Sequence, residues 1–163
     1  MSIQLPGELA KLLNELGYSW PESDEDQLMS LGQEWTRLAT LIDDLHQDAT
    51  AIARQVANDH TAKSIEAFLN SWQADDSGAA VLARGSAGAT AVAGGLTVCA
   101  GVVLALKINV IVQLTLLAAQ IIQAIATAAP TLGASLLEIP VFKQLTNVAI
   151  NFLVNQATEA VLG

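Results

Sequence analysis

Residues 28–56 read LMSLGQEWTRLATLIDDLHQDATAIARQV, and the spacing within this stretch decides the fold. Leu28, Leu31, Trp35, Leu38, Ile42, Leu45, Ala49, Ile52 and Val56 recur at alternating steps of three and four residues. That is the a/d seam of helices packed lengthwise, and the positions outside it are largely Glu, Asp, Gln, Thr and Arg. The spacing predicts an amphipathic helix with Trp35 on its buried stripe, between Leu31 and Leu38. A second apolar set, Ile65, Phe68, Leu69 and Trp72, resumes out of phase, so a break or kink is expected between Val56 and Ile65. Counted as one helix, residues 24–72 would extend roughly 70 Å.

On the N-terminal side, Leu9, Leu12, Leu13 and Leu16 predict a short helix over residues 7–16 that Gly17 stops. Tyr18-Ser19-Trp20-Pro21-Glu22 follows, a proline-broken corner whose two aromatics are expected to fold back onto the helices. Ser23-Asp24-Glu25-Asp26 then supplies an N-cap and first-turn acids that suit the helix dipole.

On the C-terminal side, Gln73 to Gly78 reads as a tight turn after Trp72, and residues 79–129 as a second long helix closed at Pro130. Gly85, Gly88, Gly94, Gly95 and Gly101 crowd its first half. Each costs about 1 kcal/mol against Ala in a helix interior, so close helix–helix approach is the expected compensation. Ile108 to Ala129 is uncharged, with Asn109, Gln113, Gln120 and Gln123 as its main polar marks. A loop through Pro130, Gly133 and Pro140 leads to a last helix over residues 141–162, and no segment alternates strongly enough to be a strand. The expected fold is all-α: an elongated antiparallel hairpin of two very long helices with extra N- and C-terminal helices. It reads as a single domain over residues 1–163, with an acidic half (1–78) and an apolar half (79–163).

Charge divides along the same line. Residues 1–78 hold fourteen acids and four bases, and residues 79–163 two acids and three bases, for a net charge of −9. Lys107 is the one charge between Arg84 and Glu138. A chain with no basic footprint is no nucleic-acid binder and is poorly suited to anionic lipid surfaces. Cys99 has no second cysteine with which to pair and reads as a small core residue. The opening residues lack the basic and apolar regions of a cleavable leader, so export, if it occurs, is expected by a route that uses none.

No catalytic constellation emerges. His46 and His60 have no partner at metal-ligand spacing, and Asp24, Glu25 and Asp26 lack the alternation and glycine of a calcium loop. Gly94-Gly95 sits inside a helix with no following lysine, so it is not a phosphate loop. No enzyme, metal or cofactor is expected. Lys107, alone in apolar surroundings, is expected to reach a helix surface or to pair with an acid of the first long helix.

The segment Gly17-Tyr18-Ser19-Trp20-Pro21-Glu22-Ser23-Asp24-Glu25-Asp26, the tryptophan Trp72 near the end of the first long helical stretch, and the apolar Leu104-Ala105-Leu106-Lys107-Ile108 resemble the Trp-X-Gly class of helical hairpins. Those proteins are exported by the type VII secretion systems of Actinobacteria and Firmicutes. Within the class, the chain is most similar to N-terminal targeting domains of actinobacterial polymorphic toxins. Two departures are visible. Trp72 is followed by Gln73-Ala74 rather than X-Gly, with the first glycine at Gly78, and no tyrosine follows Tyr18 to supply the class's Tyr-x-x-x-Asp/Glu export signal. A partner in trans is expected to supply it.

The resemblance implies a secreted, non-enzymatic export and assembly domain that binds small helical-hairpin partners or copies of itself. The corner and turn residues Tyr18, Trp20, Pro21, Glu22, Trp72 and Gly78 would shape it. The packing faces would include Trp35, Gly94, Gly95, Gly101, Val112 and Leu116. The alternative is insertion into a membrane through residues 96–129, since Ile108 to Ala129 is long enough to span a bilayer.

Overall fold

The computed structural model describes residues 2–60 and 62–162. Among these there are five α-helices and no strand: α1 (Gly7–Glu15), α2 (Glu25–Asp59), α3 (Lys63–Trp72), α4 (Gly78–Ala126) and α5 (Ile139–Leu162). A 3-10 turn, Ala134–Glu138, leads into α5. The protein is an all-α helical hairpin, with α2 and α4 as its long arms. The break foreseen after Val56 falls between the end of α2 at Asp59 and the start of α3 at Lys63, and Thr61 lies outside the described residues. α4 ends three residues earlier than expected, at Ala126, before a run of turns.

The helices form two compact units whose boundaries cut through α2 and α4 rather than following the charge divide at residue 78. One unit is Gln27–Thr97, and the other is Met1–Asp26 with Val98–Gly163.

In the Gln27–Thr97 unit, α2 and α4 run antiparallel and very close together. Ser86 Oγ donates to the Ala39 carbonyl across the pair at 3.1 Å. A Cβ on Gly32 would meet Thr97 Oγ1 at 3.2 Å and the Ala93 carbonyl oxygen at 3.3 Å, so the absence of a side chain there sets the approach. Here the structure corrects the expected seam. The buried stripe of α2 is Gly32, Ala39 and Ala53, with Trp35, Ile42 and His46 half-buried beside it. Leu31, Leu38, Leu45 and Ile52 lie one position away and are 41–63 % exposed. Small residues win the interior because the α4 seam they face is itself built of Ala79, Ser86, Ala89 and Ala93, and leucines would hold the backbones apart.

The other unit gathers α1, the corner and α5 on the later part of α4. Leu13, Val110, Leu114 and Ile150 form its core, with Leu9, Leu12, Tyr18, Trp20 and Leu106 packed against them. α1 closes on a Schellman motif. Gly17 takes φ +87°, its N–H donates to the Asn14 carbonyl and the Tyr18 N–H donates to the Leu13 carbonyl. That turn redirects the chain and drops Tyr18 beside Leu13. Before α5, Gly133 adopts φ +84° and Ser135 Oγ donates to the Ala124 carbonyl at 2.7 Å, fastening the loop to the end of α4.

Candidate functional site

Two stretches far apart in sequence, Gly17–Asp26 and Leu104–Ile108, meet at a buried ion pair. Lys107 is 1 % exposed and Glu25, the first residue of α2, is 6 % exposed. Lys107 Nζ donates to Glu25 Oε2 at 2.7 Å, to Ser2 Oγ at 2.6 Å and to the Ser23 carbonyl at 2.6 Å. All three ammonium protons are thereby used. Glu25 in turn accepts from the Ile3 N–H at 2.7 Å and from Ser2 Oγ at 2.9 Å. The ammonium, followed by the Ile3 N–H, outweighs desolvation and holds the Glu25 carboxyl at about 2, against an ordinary 4.5. The position of Glu25 at the start of α2 adds a favourable helix dipole. A lysine so fully engaged has no lone pair or free proton to offer a substrate, and the arrangement is a latch.

The aromatic corner covers this latch. Lys107 Nζ lies 5.9 Å from the centroid of the Trp20 ring, within cation–π range. Trp20 is half-buried, and its Nε1 is enclosed without an acceptor, for which the structure offers no compensation. Tyr18 Oη donates to Asn147 Oδ1 of α5 at 2.6 Å. Pro21 helps wall a cavity of about 30 Å³ with Leu13, Tyr18, Val110 and Ile150, and Glu22 is exposed. Tyr18→Phe is expected to lower stability by about 1 kcal/mol, the usual loss for one side-chain hydrogen bond. An unchanged urea midpoint would show that Asn147 does not hold the corner.

Trp72 ends α3 with its ring centroid 6.0 Å from that of Phe68. It lines an open crevice of about 310 Å³ together with His46, Thr50, Arg54 and Ser77. Gly78 is exposed as the first residue of α4, and Ser77 Oγ caps the helix by accepting from the Ala80 N–H at 3.1 Å. Trp35 is half-buried on α2. Gly94, Gly95 and Gly101 are exposed, and nothing lies within 4 Å of where their Cβ atoms would be. The close approach expected of these glycines is therefore not made among the described residues; Gly32 of α2 makes it instead. Val112 and Leu116 also face outward on α4, at 48 % and 54 % exposure. Cys99 is half-buried.

Of the two expectations for Lys107, a helix surface or an acid of the first long helix, the structure shows the second, and the acid is Glu25. Nothing in the pattern distinguishes that residue from its acidic neighbours Asp24 and Asp26. Among the described residues no cluster of His, Cys, Asp or Glu is arranged to hold a metal ion.

No curated protein and no solved structure matched the chain. A family model did: the WXG100-like domain matches residues 3–147, from the segment that caps the buried pair to the α5 asparagine that holds Tyr18. With α1 to α4, the corner and the Lys107–Glu25 pair inside the matched span, the chain belongs to the WXG100-like domain family.

Proposed function

We propose that the chain is a non-enzymatic export and assembly domain of a type VII-secreted protein, binding small helical-hairpin partners or further copies of itself through its long apolar faces. Membership of a WXG100-like family, which is associated with type VII secretion, supports the secretory part. The observation that carries the binding part is the exposure of α4. It is long and apolar enough to cross a membrane, yet only 17 % of its most apolar window is buried. A soluble core helix of that composition would be covered, and so large an apolar surface marks a contact site. The finer reading, the targeting domain of an actinobacterial polymorphic toxin, rests on the Tyr18–Asp26 corner and its latch to Lys107.

The same exposure favours a second reading, insertion of residues 96–129 into a bilayer. Exposed Asn109, Gln120 and Gln123 weigh against it, because a lipid-facing surface excludes such amides. Export of a tagged chain from a type VII-competent host, with the secretion ATPase intact or deleted, tests the function. Release only with the intact machinery is the expected result. Release that ignores the deletion, or a chain found solely in carbonate-resistant membranes, would overturn it.

A further inference from the structure

The displaced seam of α2 leaves a surface whose occupant can be read from its geometry and charge. Leu31, Leu38, Leu45 and Ile52 stand seven residues apart in register, with Leu41 beside them at 57 % exposure. Four rungs at that spacing make an apolar ladder about 32 Å long that winds slowly around the helix. A strict seven-residue repeat is matched by another helix lying lengthwise, which inserts its side chains between the rungs. Along the ladder's open edge, Glu34 and Asp48 occupy the same helical position as Leu41, with Asp44 farther out, and all three are exposed. Among the described residues the one cation on this edge, Arg37, is already engaged, its Nη1 donating to Glu34 Oε1 at 2.6 Å.

We propose that this ladder docks a single helix of another protein, one that carries lysine or arginine beside its own apolar heptad seam. The proposal rests on the assembly reading above and adds to it which face is used and what chemistry the partner brings. A second copy fits poorly, because pairing ladder to ladder would set the acidic edges against each other. An anionic lipid surface fits poorly too, since interfacial helices border their apolar face with basic residues rather than acids.

Two synthetic four-heptad peptides test it, both with leucine seams, one flanked by lysine and the other by glutamate. A scrambled lysine peptide of equal charge controls for simple attraction. With the full chain, the lysine-flanked peptide is expected to bind about tenfold or more tightly than either of the others, and more weakly as salt is raised. Leu38→Glu with Leu45→Glu should abolish this binding although it adds negative charge, a result plain electrostatics would reverse. Gln33→Glu, exposed on α2 away from the ladder, should leave it unchanged, and Glu34→Lys with Asp48→Lys should turn the preference to the glutamate-flanked peptide. Circular dichroism melts confirm that each variant is folded.

The proposal is overturned if neither seam peptide binds, if the scrambled peptide binds as well, or if the ladder variant binds undiminished. It is equally overturned if wild-type self-association or flotation with phosphatidylglycerol vesicles is lost in the ladder variant, which would assign the face to a second copy or to lipid. Export does not enter this assay. An exported chain that binds no peptide sinks the proposal alone, and a binding chain that is never exported sinks only the secretory reading.

Discussion

Lys107→Met is expected to destabilise the protein by about 3–5 kcal/mol, because it leaves the Glu25 carboxylate buried without its counter-charge. The double variant Lys107→Met with Glu25→Leu should recover most of that loss, since exchanging a whole buried pair for apolar side chains is often close to neutral. Guanidinium melts of the two variants measure both effects. A single variant that melts like wild type would mean that water reaches the pair. The pair also carries a pH signature. With its folded-state pKa held at about 2 against an ordinary 4.5, Glu25 contributes stability that is fully present above about pH 4.5 and is lost as pH falls towards 2. Wild type should therefore lose more stability across that window than Glu25→Gln does. Parallel acid melts of the two would expose the absence of this linkage.

Gly32→Leu should open the α2–α4 hairpin at a cost of about 2–3 kcal/mol, at the upper end of the usual overpacking range. Even the first added carbon would lie 3.2 Å from Thr97 Oγ1 and 3.3 Å from a backbone oxygen, and the remaining atoms have no room. Gly95→Ala is the matched contrast. Its Cβ would meet nothing, so the isolated chain should be unharmed or gain up to about 1 kcal/mol from helix propensity. If thermal melts show both variants alike, the seam is not where the structure places it.

Much of the helical architecture was legible because it depends on local signals. Leu9 to Leu16 followed by Gly17 marked α1 and its end, and the out-of-phase jump from Val56 to Ile65 marked the interruption between α2 and α3. Pro21 and the acids after it marked where α2 begins. The packing of those helices was far less legible. α2 carries apolar residues at three adjacent helical positions, represented by Leu28, Leu31 and Gly32, and any two of them make an acceptable seam. α4 is apolar on nearly every face, so its inward row, buried Ala79, Ala89 and Ala93 with half-buried Leu82, Ser86 and Leu96, has no hydropathy contrast to reveal it. Val81, Val92 and Val98 are larger and more apolar than the buried alanines, yet they are left outside.

By itself, then, the sequence determined the helices, their approximate ends, the concentration of acid in the first part of the chain, and that Lys107 must reach either a helix surface or an acid. These follow from periodicity, capping and desolvation, which act within a few residues or on one group. Tertiary structure alone decided which stripe went inside and which acid met the lysine. Both depend on how closely two backbones can approach. Gly32 and the facing Ala–Ser row permit an approach that the leucine ladder would prevent, so a register favoured by hydropathy yields to one favoured by volume. The leucines left outside are the consequence.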